Sequence, residues 1–165
     1  MSDQKFASMI MKVVEETETN PPPSLISIKS NSEILINLPK RILAQFKKQC
    51  PEEVKDVHKY HPINEENFLE LESNDDPDFN KALDNYTNCF EKHNRDYLEK
   101  EAGYASEMMV LKMSLNKCFG NCFEWIGKKV DNEVESCVRK CVHNSFDDTD
   151  VLINNHMKMY SKLFP

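Results

Sequence analysis

Two cysteine pairs with the same internal spacing constrain this chain more than any other feature of its sequence. The first pair lies in CFGNC, residues 118–122, and the second lies in CVRKC, residues 137–141. Cysteines four residues apart on an α-helix lie on one face, one turn above each other. Apolar side chains recur at helical spacing on both sides of each pair. We therefore predict two helices that fold back antiparallel across the intervening loop and bring the pairs together.

The antiparallel arrangement predicts which cysteines face each other. Cys122 lies nearest to Cys137, and Cys118 lies nearest to Cys141 one turn further out. Two parallel disulfides would cross-link the base of this hairpin, and closing a loop of about 15 residues stabilises by roughly 3 kcal/mol. The alternative is a zinc site with four thiolates. Structural zinc sites often have two residues between cysteines in a loop, so three residues on a continuous helix favour disulfides.

Composition excludes several classes of function. Of 165 residues, 39% are hydrophobic and 30% are charged, which favours one modest domain with extended arms over a large core. The net charge of -7 and the lack of a marked basic patch argue against a nucleic-acid partner. No run of about eighteen apolar residues occurs, so we expect no membrane-spanning helix. The N-terminal stretch is acidic and lacks arginine, so we expect neither a mitochondrial presequence nor a secretory signal.

The first half of the chain reads as an extension without a large core. Residues 1–17 have weak helical periodicity that ends before three consecutive prolines. Residues 25–38 alternate apolar and polar side chains, which indicates a short strand or extended arm. A short helix is predicted over residues 39–50, and residues 51–75 are polar, acidic and mostly irregular. We therefore predict a long, mostly irregular N-terminal extension with short helices over residues 1–75.

The second half has the signals of long helices. Residues 76–165 open with an aspartate cap followed by proline, and we predict a long helix over residues 77–124, bent near Gly103. A second helix is predicted from about Asn132, with an interruption at residues 144–150. The predicted fold is therefore all-α: a disulfide-stapled antiparallel helical hairpin that follows the extension.

Two CX3C motifs separated by fourteen residues and flanked by helices resemble the small Tim family of the mitochondrial intermembrane space. NEVESCVRKCVHNSF is similar to that family's second motif, with a glutamate shortly before the pair and apolar or aromatic residues after it. The resemblance covers about residues 98–164. It implies import without a cleavable presequence and oxidation by the disulfide relay, which would recognise Phe119, Phe123 and Trp125 beside the first pair. It also implies ring-shaped hexamers of related subunits that escort hydrophobic membrane-protein precursors.

The N-terminal extension departs from the family pattern, because family members are little more than the hairpin. It carries Cys50, and the first predicted long helix carries Cys89. These two cysteines either form an extra disulfide or remain buried free thiols. A long arm suits a fixed component of a larger assembly better than a mobile shuttle.

Two roles are therefore expected. In the first, the chain is a structural accessory subunit, in a hexameric ring with related subunits, of a larger mitochondrial inner-membrane complex such as a respiratory complex. In the second, it belongs to a soluble hexameric chaperone for hydrophobic precursors. Either role places it in the intermembrane space, peripheral to the inner membrane. We expect no enzymatic activity, no cofactor and no metal site.

The remaining candidate side chains favour structural explanations. The histidines have no spacing that indicates a set of metal ligands. Five methionines of the hairpin lie on apolar helical stripes, which favours packing over an adaptable client-binding surface. These methionines are Met108, Met109, Met113, Met157 and Met159.

Overall fold

The computed structural model describes residues 2–165, which form seven α-helices and no β-strand. The all-α prediction is therefore confirmed. The helices are α1 (Ser2–Thr19), α2 (Pro23–Ile36), α3 (Leu38–Gln49), α4 (Pro51–His58), α5 (Pro77–His93), α6 (Arg95–Phe123) and α7 (Asp131–Leu163).

The described chain divides into two compact units, each built from two stretches of sequence. Unit 1 consists of residues 2–32 and Gly103–Met157, and unit 2 consists of Glu33–Ala102 and Lys158–Pro165. The boundary predicted from sequence lies instead between residues 75 and 76.

Unit 1 has a small core in which α1 packs against residues of α6 and α7. The apolar residues Phe6, Met9 and Val13 recur every three or four positions along α1, so they form one stripe that is buried. Against this stripe pack two cysteines and three valines. These residues are Cys122, Val134, Val138, Cys141 and Val142.

Unit 2 has a larger core, to which α3, α4 and α5 contribute. Phe46 of α3 is fully buried, and its ring centroid lies 4.7 Å from that of Tyr86 and 4.9 Å from that of Phe90, both on α5. Val57 of α4 is also fully buried in the same cluster. Tyr160 packs against it from the C-terminal stretch. The unit thus has an apolar core of its own.

The strand or extended arm predicted over residues 25–38 is wrong, because most of this stretch lies in α2. Apolar residues do not gather on one side of α2: Ile26, Ile34 and Ile36 are all exposed, and Ser24 is buried. The segment therefore lacks the 3.6-residue stripe by which a helix is recognised. A lone strand leaves its backbone groups without a partner, whereas a helix pairs them internally.

The predicted long irregular extension is also wrong for much of residues 1–75, since α1 to α4 occupy most of the chain as far as His58. α4 begins directly after α3, with Pro51 in its first turn, where a missing N–H is tolerated. The stretch from residue 59 to residue 76 contains turns and no long helix.

The single long helix predicted over residues 77–124 is divided at Asn94 into α5 and α6, and Gly103 lies within α6. The buried Asn94 amide nitrogen donates to the Phe90 carbonyl at 3.1 Å and to Gln49 Oε1 at 2.9 Å. Asparagine side chains compete with backbone groups for hydrogen bonds, which explains a break here. The predicted cap is confirmed, since the carboxylate of Asp76 accepts from two N–H groups of the first turn of α5. α7 runs through residues 144–150 without the predicted interruption.

Candidate functional site

Two disulfides join the facing parts of α6 and α7 in unit 1. Cys118 is bonded to Cys141 with 5.8 Å between the Cα atoms, and Cys122 is bonded to Cys137 with 5.7 Å. Both distances fall within the range that a disulfide spans. The pairing is the one that the antiparallel arrangement predicts. We call the region around these four cysteines the bridged helix pair.

Three of the four sulfurs of the bridged helix pair lie close to one another across the two bonds. The Sγ atoms of Cys122 and Cys141, which belong to different bridges, lie 3.5 Å apart, and both residues are buried. The sulfurs of Cys118, Cys122 and Cys141 all lie within 4.8 Å of one another. Reduction of both bridges would free these three thiolates, whereas the zinc alternative of the sequence analysis requires Cys137 as well.

A short turn connects the two helices. Gly127 has a φ of 79°, a left-handed conformation that residues with a Cβ rarely adopt. Lys129 folds back so that its ammonium lies 3.8 Å from the centroid of the Trp125 ring. This cation–π contact fixes the only tryptophan of the chain beside the bridges.

Phe119, Phe123 and Trp125 are the residues predicted for recognition by the disulfide relay. Phe119 and Phe123 contact α1, and Trp125 lies beside the bridges. The Phe6 ring of α1 meets Phe119 at 6.4 Å and Phe123 at 5.3 Å between centroids, edge to face in both cases. Trp125 packs against the same core cluster. Their role in recognition stays a prediction, and α1 engages the two phenylalanines in the folded unit.

Polar side chains at the border of this contact align α1 with α7. The Glu16 carboxylate accepts hydrogen bonds from Nε and Nη2 of Arg139 at 2.9 to 3.2 Å. The Lys12 ammonium contacts both carboxylate oxygens of Glu135 at 3.1 Å. These ion pairs are exposed, so each contributes at most about 1 kcal/mol. Their value is in setting register, since the apolar stripe alone allows α1 to slide.

A third disulfide lies in unit 2, between Cys50 and Cys89, with 6.3 Å between the Cα atoms. Cys50 is fully buried at the junction of α3 and α4, and Cys89 is partly buried on α5. From sequence alone, either a disulfide or two free buried thiols was expected for these two cysteines. With it, all cysteines of the chain are paired.

His93 is a neighbour of this third bridge that the sequence analysis missed. One of its ring nitrogens and the sulfurs of Cys50 and Cys89 all lie within 4.8 Å of one another. The signal was present, because Cys89 and His93 are four residues apart on one helix and therefore share a face. The expectation that the histidines have no ligand spacing did not take this pair of positions into account.

An open apolar groove of 460 Å³ lies between the parts of α6 and α7 in unit 1. Val110 and Val151 line it from opposite helices and are each about 60% exposed, at 59% and 61%. Met109 and Met113 are exposed on the same stretch of α6. Packing within the unit therefore does not account for these two methionines.

Two buried tyrosines mark the core of unit 2. The Tyr86 hydroxyl donates to the Phe68 carbonyl at 2.6 Å, and burial raises its pKa far above the usual value. Burial, together with the nearby Glu101 carboxylate, raises the pKa of Tyr97 to about 12. Both hydroxyls therefore stay neutral at any physiological pH.

No helix within residues 2–165 is both long and apolar enough to cross a membrane. Comparison with protein-family models, with curated proteins and with solved structures finds no match to this chain.

Proposed function

We propose that this chain is a small-Tim-like protein of the mitochondrial intermembrane space that serves as a structural accessory subunit of a larger inner-membrane complex, such as a respiratory complex. In this proposal the bridged helix pair is a hairpin of the small Tim type. It assembles with related subunits into a hexameric ring, peripheral to the membrane.

The observation that carries this proposal is the pair of parallel disulfides across α6 and α7. Two CX3C motifs on antiparallel helices, bonded inner to inner and outer to outer, are the arrangement that the resemblance implies. The pairing of every cysteine is compatible with an oxidising compartment.

The structure of unit 2 favours the accessory role over the shuttle role. Most of the segment that the resemblance leaves over, residues 33–97, lies in a unit with a core of its own, which includes the fully buried Phe46 and Val57 and a separate disulfide. A folded module of this kind suits a stable contact with a large complex, because little chain entropy is lost when it docks.

The apolar groove of unit 1 favours the alternative, a soluble hexameric chaperone for hydrophobic precursors. Val110, Val151, Met109 and Met113 leave apolar surface exposed on both helices. Flexible methionines are common on surfaces that accept several partners. In a fixed subunit the same surface would be covered by a neighbouring subunit of the ring.

The test is native sizing of mitochondrial extracts made with mild detergent, in which the chain is followed by mass spectrometry. Comigration with an inner-membrane complex at fixed stoichiometry supports the accessory role. Migration as a free ring supports the chaperone role. Absence of the chain from mitochondria that are separated from the cytosol refutes both.

Site-specific crosslinking identifies which protein covers the groove and so distinguishes the two roles. A photoreactive residue at Val110, in the groove, is compared with one at Val130, which is 67% exposed in the loop outside it. The accessory role predicts one discrete adduct with a related subunit from Val110. The chaperone role predicts many adducts with membrane-protein precursors during import, and neither role predicts them from Val130.

A further inference from the structure

We infer that the Cys50–Cys89 bridge alternates with a zinc site, in which the two thiolates and the His93 imidazole bind Zn²⁺ after reduction. This inference concerns unit 2 alone and does not depend on the proposed function. It rests on the proximity of the three ligand groups, whose donor atoms all lie within 4.8 Å of one another.

The three ligand groups have the chemistry and geometry that zinc needs. Zn²⁺ binds thiolate sulfur at about 2.3 Å and imidazole nitrogen at about 2.0 Å, so two thiolates on tetrahedral zinc are roughly 3.8 Å apart. Opening the bridge allows the sulfurs of Cys50 and Cys89 to separate to this distance by side-chain rotation. Cys89 and His93 already project from one face of α5, one turn apart.

The backbone around the bridge is held by contacts that do not need the disulfide. The Cys50 N–H donates to the Phe46 carbonyl at 2.8 Å, and the Cys50 carbonyl accepts from the Val54 N–H at 3.1 Å. The Phe46 ring packs between the rings of Tyr86 and Phe90, which flank Cys89 on α5. The ligands are therefore positioned for metal before the metal arrives, which lowers the entropic cost of binding.

A side-chain hydrogen bond also flanks the cluster. The Asn94 amide nitrogen, on the residue after His93, donates to Gln49 Oε1, on the residue before Cys50, at 2.9 Å. Because Asn94 is buried, this bond is protected from water. It ties the end of α5 to the end of α3, so His93 stays near Cys50 when the disulfide is open.

The exchange balances with a dithiol as reductant. The dithiol gives two electrons and two protons to the bridge and closes to its own disulfide, while Cys50 and Cys89 become thiols. Zn²⁺ then displaces one proton from each thiol, and the neutral imidazole of His93 supplies the third bond. Three protein ligands leave a fourth position for water or another donor, and the exposure of His93 gives solvent access to it.

The experiment measures protection of each cysteine from alkylation in the full chain. The protein is reduced, treated with iodoacetamide with or without Zn²⁺, and mapped by peptide mass spectrometry. Cys89 gives the readout, because it is only partly buried whereas Cys50 is fully buried. The variants are His93→Ala and, as matched control, His61→Ala, which removes an exposed histidine of the same unit.

Zinc is expected to slow alkylation of Cys89 in the wild type and in His61→Ala. In His93→Ala the zinc concentration needed for the same protection should rise by more than about tenfold. Loss of a residue that only hydrogen-bonds to a metal ligand already lowers metal affinity by about tenfold or more, so loss of a direct ligand should lower it further. Zinc protection of Cys118 and Cys122 should not change, which controls for binding at the bridged helix pair. Equal protection of Cys89 in all three proteins, or no protection in any, would overturn the inference.

A second measurement covers the case in which reduction unfolds unit 2. Zinc binding to the folded form then refolds the unit, because ligands that bind only the native state stabilise it. Circular dichroism of the reduced chain should show a gain of helix with Zn²⁺ in the wild type and in His61→Ala. The same gain in His93→Ala would exclude His93 as a ligand.

Discussion

The two disulfides of the bridged helix pair should depend on each other energetically. Replacing Cys118 and Cys141 with alanine opens the outer bridge, and replacing Cys122 and Cys137 opens the inner one. Each double variant removes one buried and one partly buried sulfur, so the loss of packing is similar. A difference between the variants therefore reports on the loops that the bridges close.

The magnitudes follow from the separations along the chain, which are 23 residues for the outer bridge and 15 for the inner one. Alone, the two bridges stabilise by about 3.4 and about 3 kcal/mol respectively. With the inner bridge closed, the outer one closes only the eight residues by which the separations differ, which is worth about 2.5 kcal/mol. The inner bridge then adds about 2 kcal/mol to the outer one.

These values predict non-additive effects. The fourfold variant should be less stable than the wild type by about 5.5 kcal/mol from loop entropy, which exceeds the summed losses of the double variants by about 1 kcal/mol. The assay is urea unfolding followed by the fluorescence of Trp125, which is the only tryptophan and packs on the core of unit 1.

Two results would refute this reasoning. If opening the outer bridge leaves the unfolding midpoint unchanged, Cys118 and Cys141 are not bonded in solution. If each double variant is as unstable as the fourfold variant, the cysteines act as one cluster, as in a four-thiolate zinc site. Intact mass before and after reduction and alkylation, with peptide mapping, identifies the bonded pairs independently.

Three further predictions test the two cores. Tyr86→Phe should lower the free energy of unfolding of unit 2 by about 1 to 3 kcal/mol, because the buried Phe68 carbonyl loses its hydrogen-bond donor. The control Tyr60→Phe, at an exposed site, should lower it by less than about 0.5 kcal/mol. Urea unfolding followed by circular dichroism measures both. Val13→Ala should lower the free energy of unfolding of unit 1 by about 2 kcal/mol, as measured by Trp125 fluorescence, because Val13 is fully buried. The control Val14→Ala, at a position 40% exposed on the same helix, should change it by less than about 0.5 kcal/mol. The pKa of Tyr97 is raised to about 12 in the folded protein, compared with about 10 in the unfolded chain. The stability that this difference contributes is complete below about pH 10 and is lost as the pH rises through about 12. Over this range the urea midpoint of Tyr97→Phe should therefore fall less than that of the wild type.

The bridged helix pair was predictable because local spacing and loop closure point to the same arrangement. Cysteines four residues apart share a helix face, and an antiparallel turn leaves one way for Cys122 to meet Cys137 and Cys118 to meet Cys141. The stripe of Phe6 and Val13 likewise indicated a helix for α1. Its position on the pair was not predictable, since apolar periodicity identifies the buried face but not the surface that covers it.

The structure of the first half of the chain was missed for a different reason. α2 leaves Ile26, Ile34 and Ile36 exposed, so its sequence resembles an alternating strand more than an amphipathic helix. The core of unit 2 joins residues far apart in sequence, such as Phe46 with Phe90 and Tyr97 with Phe164. Contacts of this kind carry no local sequence signal.

The two units place their disulfides in different relation to their cores. In unit 1 the buried Cys122 and Cys141 make up part of a small cluster, so breaking the bridges removes cross-links within the core itself. In unit 2 the bridge is one contact among many larger ones, and the aromatic packing of Phe46 against α5 does not involve the disulfide. We therefore expect reduction to lower the stability of unit 1 more than that of unit 2, in which we propose the exchange of the disulfide for zinc.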